Sequence, residues 1–312
     1  MKTEILSVAR MYAPSMERLE REFTVHKLWQ APDPAQLLGE VGPRLRGMQA
    51  TGAAVVDATL IDRLPALEII SCFGVGYDGI DVAAAKRRNV IVTNTPDVLN
   101  DCVADLAVGL MLATARRLCE GDRWVRAGKW LQGPLPLARK VSRKRLGLLG
   151  LGRIGRTIAK RAAAFDMPVA YHARNKVPDV PYRHYDRLVD LARDSDFLVV
   201  IAPGGAATRH IVNEAVLRAL GEKGILVNIA RGSLVDEQAL VKCLQEGALG
   251  GAGLDVFEQE PRVPEALFAL ENVVLQPHVG SATHETRTAM GNLTVDNLLA
   301  HFAGRPVLTP VS

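Results

Sequence analysis

The sequence predicts an α/β protein built as two doubly wound parallel-sheet halves. Three observations predict it. Short apolar strand candidates alternate with helical patterns along nearly all of the 312 residues, the order that lays helices on both faces of a parallel sheet. The alternation comes in two series, parted by a long apolar helix and a stretch rich in Gly and Pro. The length suits about two domains, and a chain of this size buries about three quarters of the surface of its unfolded form, enough for large cores.

In the first series, residues 4–9, 23–29, 47–52, 68–73 and 90–95 read as strands, the third of them weakly, and 14–22, 57–64 and 81–88 as helices. Residues 100–117 repeat Val103, Leu106, Ala107, Leu110 and Met111 at helical spacing among Asp101, Asp105 and small residues, a buried connecting helix. Gly121, Gly128, Gly133, Pro134 and Pro136 break the pattern over 119–144, where Trp124 and Trp130 stand among charges. This reads as an extended arm or loop, and exposed tryptophans on an arm point to a subunit interface. The second series has strands at 145–150, 168–172, 197–201, 225–230, 253–256 and 273–276, and helices at 154–165, 213–220 and 236–246. A last helix, 283–302, is expected to return to the first half.

Composition removes several function classes. Apolar residues are 48% and charged residues 23%, ordinary for a globular chain and unlike a disordered one. The net charge of +4 is too small to argue for nucleic acid. The densest basic run, Arg139–Lys140 and Arg143–Lys144–Arg145, reads as a solvated connector. No apolar run reaches the ~18–20 residues of a membrane span, and the start, Met1-Lys2-Thr3-Glu4, lacks the order of a signal peptide. Cys72, Cys102, Cys119 and Cys243 form no CxxC and no metal-ligand spacing. Each lies in apolar sequence and reads as a buried thiol outside any disulfide, as expected of a reducing cytoplasm. His172, His184, His210, His284 and His301 belong to no constellation and read as plain surface or helix positions, and no metal is expected.

Chemistry first shows at the junction of the second series' first strand and helix. After Arg145-Leu-Gly-Leu-Leu stands Gly150-Leu151-Gly152-Arg153-Ile154-Gly155. In that context the glycines allow a tight turn, close approach of a pyrophosphate and close helix–strand packing. The helix N-terminus offers unbonded N–H groups and the positive end of its dipole to phosphates. A site for NAD wants an acid about 20 residues on, at the ribose 2′-OH. Here stand Ala173-Arg174-Asn175-Lys176. Arg174 can pair with a 2′-phosphate, Asn175 can donate a bond and Lys176 adds charge, which favours NADPH over NADH.

Further motifs carry a resemblance. They are Phe73-Gly-Val-Gly76-Tyr-Asp78, Val92-Thr-Asn-Thr-Pro96, Asn228-Ile-Ala-Arg231-Gly-Ser-Leu-Val-Asp236-Glu, Gly253-Leu-Asp255-Val-Phe-Glu-Gln-Glu260-Pro261 and Gln276-Pro-His278-Val-Gly280-Ser-Ala-Thr283. In this order, over essentially the whole chain, they resemble the D-isomer-specific 2-hydroxyacid dehydrogenase family, and within it most the glyoxylate/hydroxypyruvate reductases and plant hydroxyphenylpyruvate reductases. The resemblance implies a Rossmann cofactor domain over 99–284 and a flavodoxin-like, discontinuous substrate domain over 1–98 and 285–312. Two hinge crossings between them would let a cleft close.

It also implies a catalytic set of Arg231, Glu260 and His278. Reducing a 2-keto acid needs a hydride, a proton for the carbonyl oxygen and an anchor for the carboxylate. Imidazole titrates near neutral pH unaided, so His278 suits the proton donor. Glu260 would hold the ring and favour its protonated form, and Arg231 would bind the carboxylate and polarise the carbonyl. Val75 and Gly76 match the loop whose N–H groups bind the substrate carboxylate. Ala202, Pro203 and Thr208 match the segment passing the ribose and pyrophosphate. Ile229, Ala230, Asp255 and Gly280 match the nicotinamide side, with Asp255 accepting from the carboxamide.

The implied activity is NADPH-dependent reduction of a small 2-keto acid, of glyoxylate or hydroxypyruvate type, to the D-2-hydroxy acid. NADH would be a weaker donor. An NAD-dependent dehydrogenase of another specificity and a dinucleotide-sensing corepressor are the alternatives. A homodimer through the cofactor domains, with 119–144 exchanged, is expected. Met48, Trp130 and Leu135 are candidates to line the substrate pocket. Arg143 departs from the family, which commonly has a small residue there.

Overall fold

A computed structural model describes residues 2–311. The chain divides into two compact units, Met1–Leu99 with Ser281–Ser312, and Asn100–Gly280. In the first, β1 (Glu4–Ser7), α1 (Ala13–Glu22), β2 (Thr24–Lys27), α2 (Pro34–Val41), β3 (Gly47–Thr51), α3 (Ala58–Asp62), β4 (Ile69–Phe73), α4 (Val82–Arg87) and β5 (Ile91–Thr93) follow one another. Among the described residues the strands form a five-stranded parallel sheet, ordered β2-β1-β3-β4-β5. Helices start where the sequence places a capping acid: Asp33, Asp57 and Asp81 accept first-turn N–H groups of α2, α3 and α4. α2 begins at Pro34 and holds Gly39 within it, and the sequence pattern leaves these eight residues unassigned. Met48 is fully buried among Leu6, Leu45 and Ile70 in the core. It packs the sheet and lines no pocket, because β3 is a central strand covered on both faces.

The second unit holds α5 (Asn100–Ala115), α6 (Leu118–Arg126), β6 (Leu146–Leu149), α7 (Arg153–Ala163), β7 (Val169–His172), β8 (Arg183–His184), α8 (Leu188–Arg193), β9 (Phe197–Val200), α9 (Glu214–Leu220), β10 (Ile225–Asn228), α10 (Glu237–Gln245), β11 (Gly251–Leu254) and β12 (Val273–Leu275). Its seven described strands pair in parallel, ordered β12-β11-β10-β9-β6-β7-β8. Buried residues of β6 and β9, and of β10 up to Val227, are continuous apolar runs, as a sheet covered on both faces requires. The strand order reverses between β6 and β9, the switch point where such sheets bind ligands at their carboxyl ends. α5 is the buried helix the spacing predicts, and its Asp101 and Asp105 pair with Arg161 of α7. The chain then returns to the first unit as α11 (His284–Phe302), which packs on α1 and β4.

Several expectations change. Residues 119–144 are not loop throughout: α6 occupies their start, supported by the ion pairs Arg117–Glu120 and Asp122–Arg126. Gly121 and the charges hide its period. Leu135, a candidate to line the substrate pocket, is half-buried and lies beside Gly121. β8 has two residues, too few for a pattern, and α8 lies among the charges of 183–196 and is left unassigned by the sequence. Of the cysteines, Cys72 and Cys243 are buried, Cys102 is half-buried and Cys119 is exposed, because α6 lies at the surface. None of the four is in a disulfide. The basic run is anchored as well as solvated: Arg139 donates to the Glu222 carbonyl and Arg145 pairs with Asp196. Arg143 has φ 64°, a left-handed backbone that a side chain disfavours by about 1–2 kcal/mol. Among the described residues no helix is long and apolar enough to cross a membrane, and no group of His, Cys, Asp and Glu is placed to hold a metal.

Candidate active site

The fingerprint sits at the switch point. Gly150 ends β6 with φ 104°, and a Cβ there would lie 2.9 Å from the Ile201 carbonyl oxygen at the end of β9. A Cβ on Gly155 would meet the Gly150 oxygen at 2.7 Å, whereas one on Gly152 would project into open space. That opening lies at the N-terminus of α7, whose N-cap Gly152 supplies no side-chain bond. A helix N-terminus with no side-chain cap, beside a space that only glycine leaves vacant, fits a dinucleotide pyrophosphate. Leu151 is buried beneath the turn, Arg153 is exposed and Ile154 half-buried. At the end of β7, Arg174, Asn175 and Lys176 are exposed, following half-buried Ala173. After β9, Thr208 Oγ1 lies 2.8 Å from the Pro203 oxygen and 3.2 Å from that of Gly205, so this hydroxyl closes the loop that starts at Ala202.

The remaining side chains come from three adjacent strand ends. At the end of β10, buried Asn228 accepts from the Ala230 N–H at 3.1 Å and donates to the Arg231 oxygen at 2.9 Å. It thereby shapes the turn that carries Ile229, Ala230 and Arg231. Arg231 Nη1 donates to the Ala230 oxygen at 2.7 Å. The sequence reading gives Asn228 no role, although a polar residue at a buried strand end is itself a cue.

Asp255, 1% exposed, ends β11. Its Oδ1 accepts from the Val279 N–H at 2.7 Å and its Oδ2 from the Gly280 N–H at 2.8 Å, while its carbonyl accepts from the His278 N–H at 2.8 Å. These bonds hold His278 at φ 55°, a strained backbone that persists only where its surroundings dictate it. Burial pushes the Asp255 carboxyl above the usual range, against the two N–H donors and the charge of His278.

His278 Nδ1 is 2.7 Å from Glu260 Oε2, and Glu260 Oε1 accepts from the Phe257 N–H at 3.1 Å. Burial pushes the Glu260 carboxyl up. The His278 bond, the Phe257 N–H and the charges of His278 and Arg231 outweigh it and hold Glu260 below the usual range. An ionised carboxylate only accepts, so Nδ1 donates, and Nε2 is the nitrogen left for a reacting group.

The loop bearing Glu260 has a support the motifs do not show. The Glu258 N–H donates to Glu237 Oε1 at 2.8 Å, and the Glu258 carboxylate accepts from His210 Nε2 at 2.9 Å and from Arg209. His210 is therefore part of an ion-pair cluster rather than a plain surface position. Burial, together with the charges of Glu258 and Glu260, pushes the Glu237 carboxyl up, although its bond from the Glu258 N–H pulls it down. Gly232 brings the Arg231 and Glu260 loops into backbone contact, since a Cβ on it would lie 1.9 Å from the Phe257 carbonyl carbon.

In the first unit, Val75 and Gly76 follow β4 and are half-buried. Asn94 Nδ2 donates to the Val75 oxygen at 2.9 Å and the Thr95 N–H to the Gly74 oxygen at 2.9 Å, which holds this turn to the strand end beside it.

Residues 108–280 match the D-isomer specific 2-hydroxyacid dehydrogenase, NAD binding domain. The chain is 54% identical over 307 residues to a glyoxylate/hydroxypyruvate reductase A of Arabidopsis thaliana, covering 98% of each. It is 51% identical to a hydroxyphenylpyruvate reductase of Plectranthus scutellarioides, again over 98% of each. An NADPH-dependent glyoxylate/hydroxypyruvate reductase of Sinorhizobium meliloti, solved with NADP and malonate, superposes with a TM-score of 0.94 at 45% identity, covering 100% of this chain and 97% of that one. The chain belongs to the D-isomer-specific 2-hydroxyacid dehydrogenase family.

Proposed function

We propose that the protein reduces a small 2-keto acid of the glyoxylate/hydroxypyruvate type to the D-2-hydroxy acid, with NADPH as donor and His278 as the acid. The observation that carries this is the 2.7 Å bond between His278 Nδ1 and Glu260 Oε2, on strand ends beside Arg231. The nicotinamide, when bound, supplies a hydride. Imidazolium at His278 delivers the proton from Nε2, Glu260 holds the ring in orientation through Nδ1, and Arg231 offers its guanidinium to the carboxylate and carbonyl. Val75 and Gly76 are proposed to bind the carboxylate through backbone N–H groups, and Ala202, Pro203, Ile229, Ala230, Asp255 and Gly280 to line the cofactor. Turnover of glyoxylate, hydroxypyruvate, phenylpyruvate and 2-ketogluconate, each with NADPH and NADH, tests the assignment. No turnover of any of them would favour a binding protein that senses dinucleotides.

The glutamate's charge sets a pH prediction. The His278 contact helps hold Glu260 below the usual carboxylate range, so the ring faces a full negative charge. Reduction consumes the imidazolium proton, so activity falls as pH rises. Glutamine lacks the charge, and the alkaline limb of kcat/KM in Glu260→Gln should move to lower pH. A limb that stays in place in the pH–rate profile would count against the pairing.

Cofactor choice rests on the β7 turn. A charge-assisted bond to a 2′-phosphate contributes ~1.5–3 kcal/mol, or roughly 10–150-fold. NADPH should exceed NADH in kcat/KM by at least about tenfold. Arg174→Ala should remove most of the preference through KM for NADPH, because the 2′-phosphate is remote from the hydride and contributes uniform binding. Equal use of both cofactors by the wild type would refute it.

A homodimer through the cofactor-binding unit is also proposed. Leu118, Val125, Trp130, Leu131 and Leu137, on and after α6, are between 55% and 98% exposed, an apolar surface of the kind that marks an interface. Light scattering at micromolar concentration should give twice the chain mass, and a monomer would reject the proposal.

A further inference from the structure

The turn that reads the cofactor's 2′ position is held by a side chain beneath it. Tyr171 lies on β7 and is 0% exposed. Its hydroxyl accepts from the Val177 N–H at 2.9 Å and lies 3.4 Å from the Val177 oxygen, to which it donates. At the other end of the turn, His184 Nε2 lies 3.2 Å from the Ala173 oxygen. His184 stands opposite Tyr171 in the β7–β8 register, and their rings are 5.1 Å apart. Residues 173–177 are thus fastened at both ends, with Arg174, Asn175 and Lys176 exposed between the anchors.

A fully buried strand position is filled as well by phenylalanine as by tyrosine, unless the hydroxyl has a partner. Here one hydroxyl bonds both backbone groups of a single loop residue. Without it, the Val177 N–H and C=O must find water or shift, and the turn loses the closure that orients Arg174. A polar site is only as well placed as the groups that support it.

We propose that Tyr171 is a specificity-positioning residue, whose buried hydroxyl holds the 173–177 turn in the conformation that presents Arg174 to the 2′-phosphate. The proposal rests on the assignment of Arg174 made above. It concerns ground-state binding remote from the hydride, so the expected effect lies in affinity and KM for the phosphorylated cofactor, with kcat unchanged.

Calorimetric titration of the apo protein with NADP+ and with NAD+ tests it in the wild type, Tyr171→Phe, Arg174→Ala and the double variant. Tyr171→Phe should weaken NADP+ about three- to tenfold and NAD+ by less than about twofold. The double variant should bind NADP+ no more weakly than Arg174→Ala alone, because both changes act on one contact. In the apo protein, amide exchange at Val177 should quicken in Tyr171→Phe while the core strands keep their protection. If Arg174→Ala collapses the NADP+ preference and Tyr171→Phe leaves it within twofold, the positioning role is overturned and the Arg174 assignment stands. If Arg174→Ala itself leaves the preference intact, both are overturned. Equal weakening of NADP+ and NAD+ by Tyr171→Phe would show a general structural role and overturn specificity. Should Tyr171→Phe fail to fold, His184→Leu, which releases the Ala173 end of the turn, should lower the NADP+ preference in the same way. An unchanged preference in that variant would overturn the proposal.

Discussion

Replacing His278 by alanine should lower kcat/KM by about 10²–10⁴-fold, the usual worth of a positioned general acid, with the fold intact. The two effects separate because the imidazole is 46% exposed and its removal leaves no core cavity. The hydrogen bonds that hold this segment come from the backbone of residues 278–280 to Asp255, and they survive the truncation. Steady-state reduction of hydroxypyruvate with NADPH, beside a thermal unfolding curve, checks both halves. Near-normal turnover would remove His278 as the acid. Arg231→Ala should also lose orders of magnitude in kcat/KM, with KM for the keto acid rising because a carboxylate anchor is lost. Its backbone bond to Asn228 remains.

The second large effect is expected at a residue with no chemistry of its own. A Cβ at Gly232 would fall 1.9 Å from the Phe257 carbonyl carbon, 2.1 Å from its oxygen and 2.2 Å from the Glu258 nitrogen. Every one of these atoms is backbone, so no side chain can swing aside. Gly232→Ala must push apart the loop carrying Arg231 and the loop carrying Glu260. Overpacking of this kind typically costs about 1–3 kcal/mol, within what a domain stable by roughly 5–15 kcal/mol tolerates. Activity is more sensitive, since a displacement of about 1 Å at a catalytic group can cost ~10²-fold. Gly232→Ala should therefore lose about 10²-fold or more in kcat/KM, mainly in kcat, with a lowered Tm. Wild-type kinetics with an unchanged Tm would show that the two loops are not coupled through this contact.

Much of this was legible in the chain. The parallel α/β class follows from alternating apolar runs and helical patterns, and the dinucleotide turn from glycines that a strand precedes and a helix follows. These are local statements, because neighbours in sequence make the structure they describe. Cα-level neighbours also make the turn after β7, so its lack of an acid and its Arg174-Asn175-Lys176 could be read directly. Where local patterns were short or mixed, they failed. β8 has too few residues for a period, α2 is interrupted by Gly39, α8 and α6 are masked by charges and α6 also by Gly121, and apolar surroundings in sequence did not bury Cys119.

The sequence by itself determined which residue types are available: an imidazole, a carboxylate, a guanidinium, a glycine-rich turn and a basic turn after β7. The tertiary structure decided which of them meet. Glu260 and His278 touch because β11 and β12 are neighbours in the sheet. Asp255 holds His278 in a left-handed backbone through bonds that cross the same pair of strand ends. Glu258 joins His210, Gly232 abuts Phe257, and the Tyr171 hydroxyl turns to Val177. The physical reason is direction. Spacing along a chain specifies that residues are near one another, but a hydrogen bond or a backbone contact of this kind needs atoms aligned within a few tenths of an ångström. Strand order, register and loop packing supply that alignment only once the whole sheet has formed.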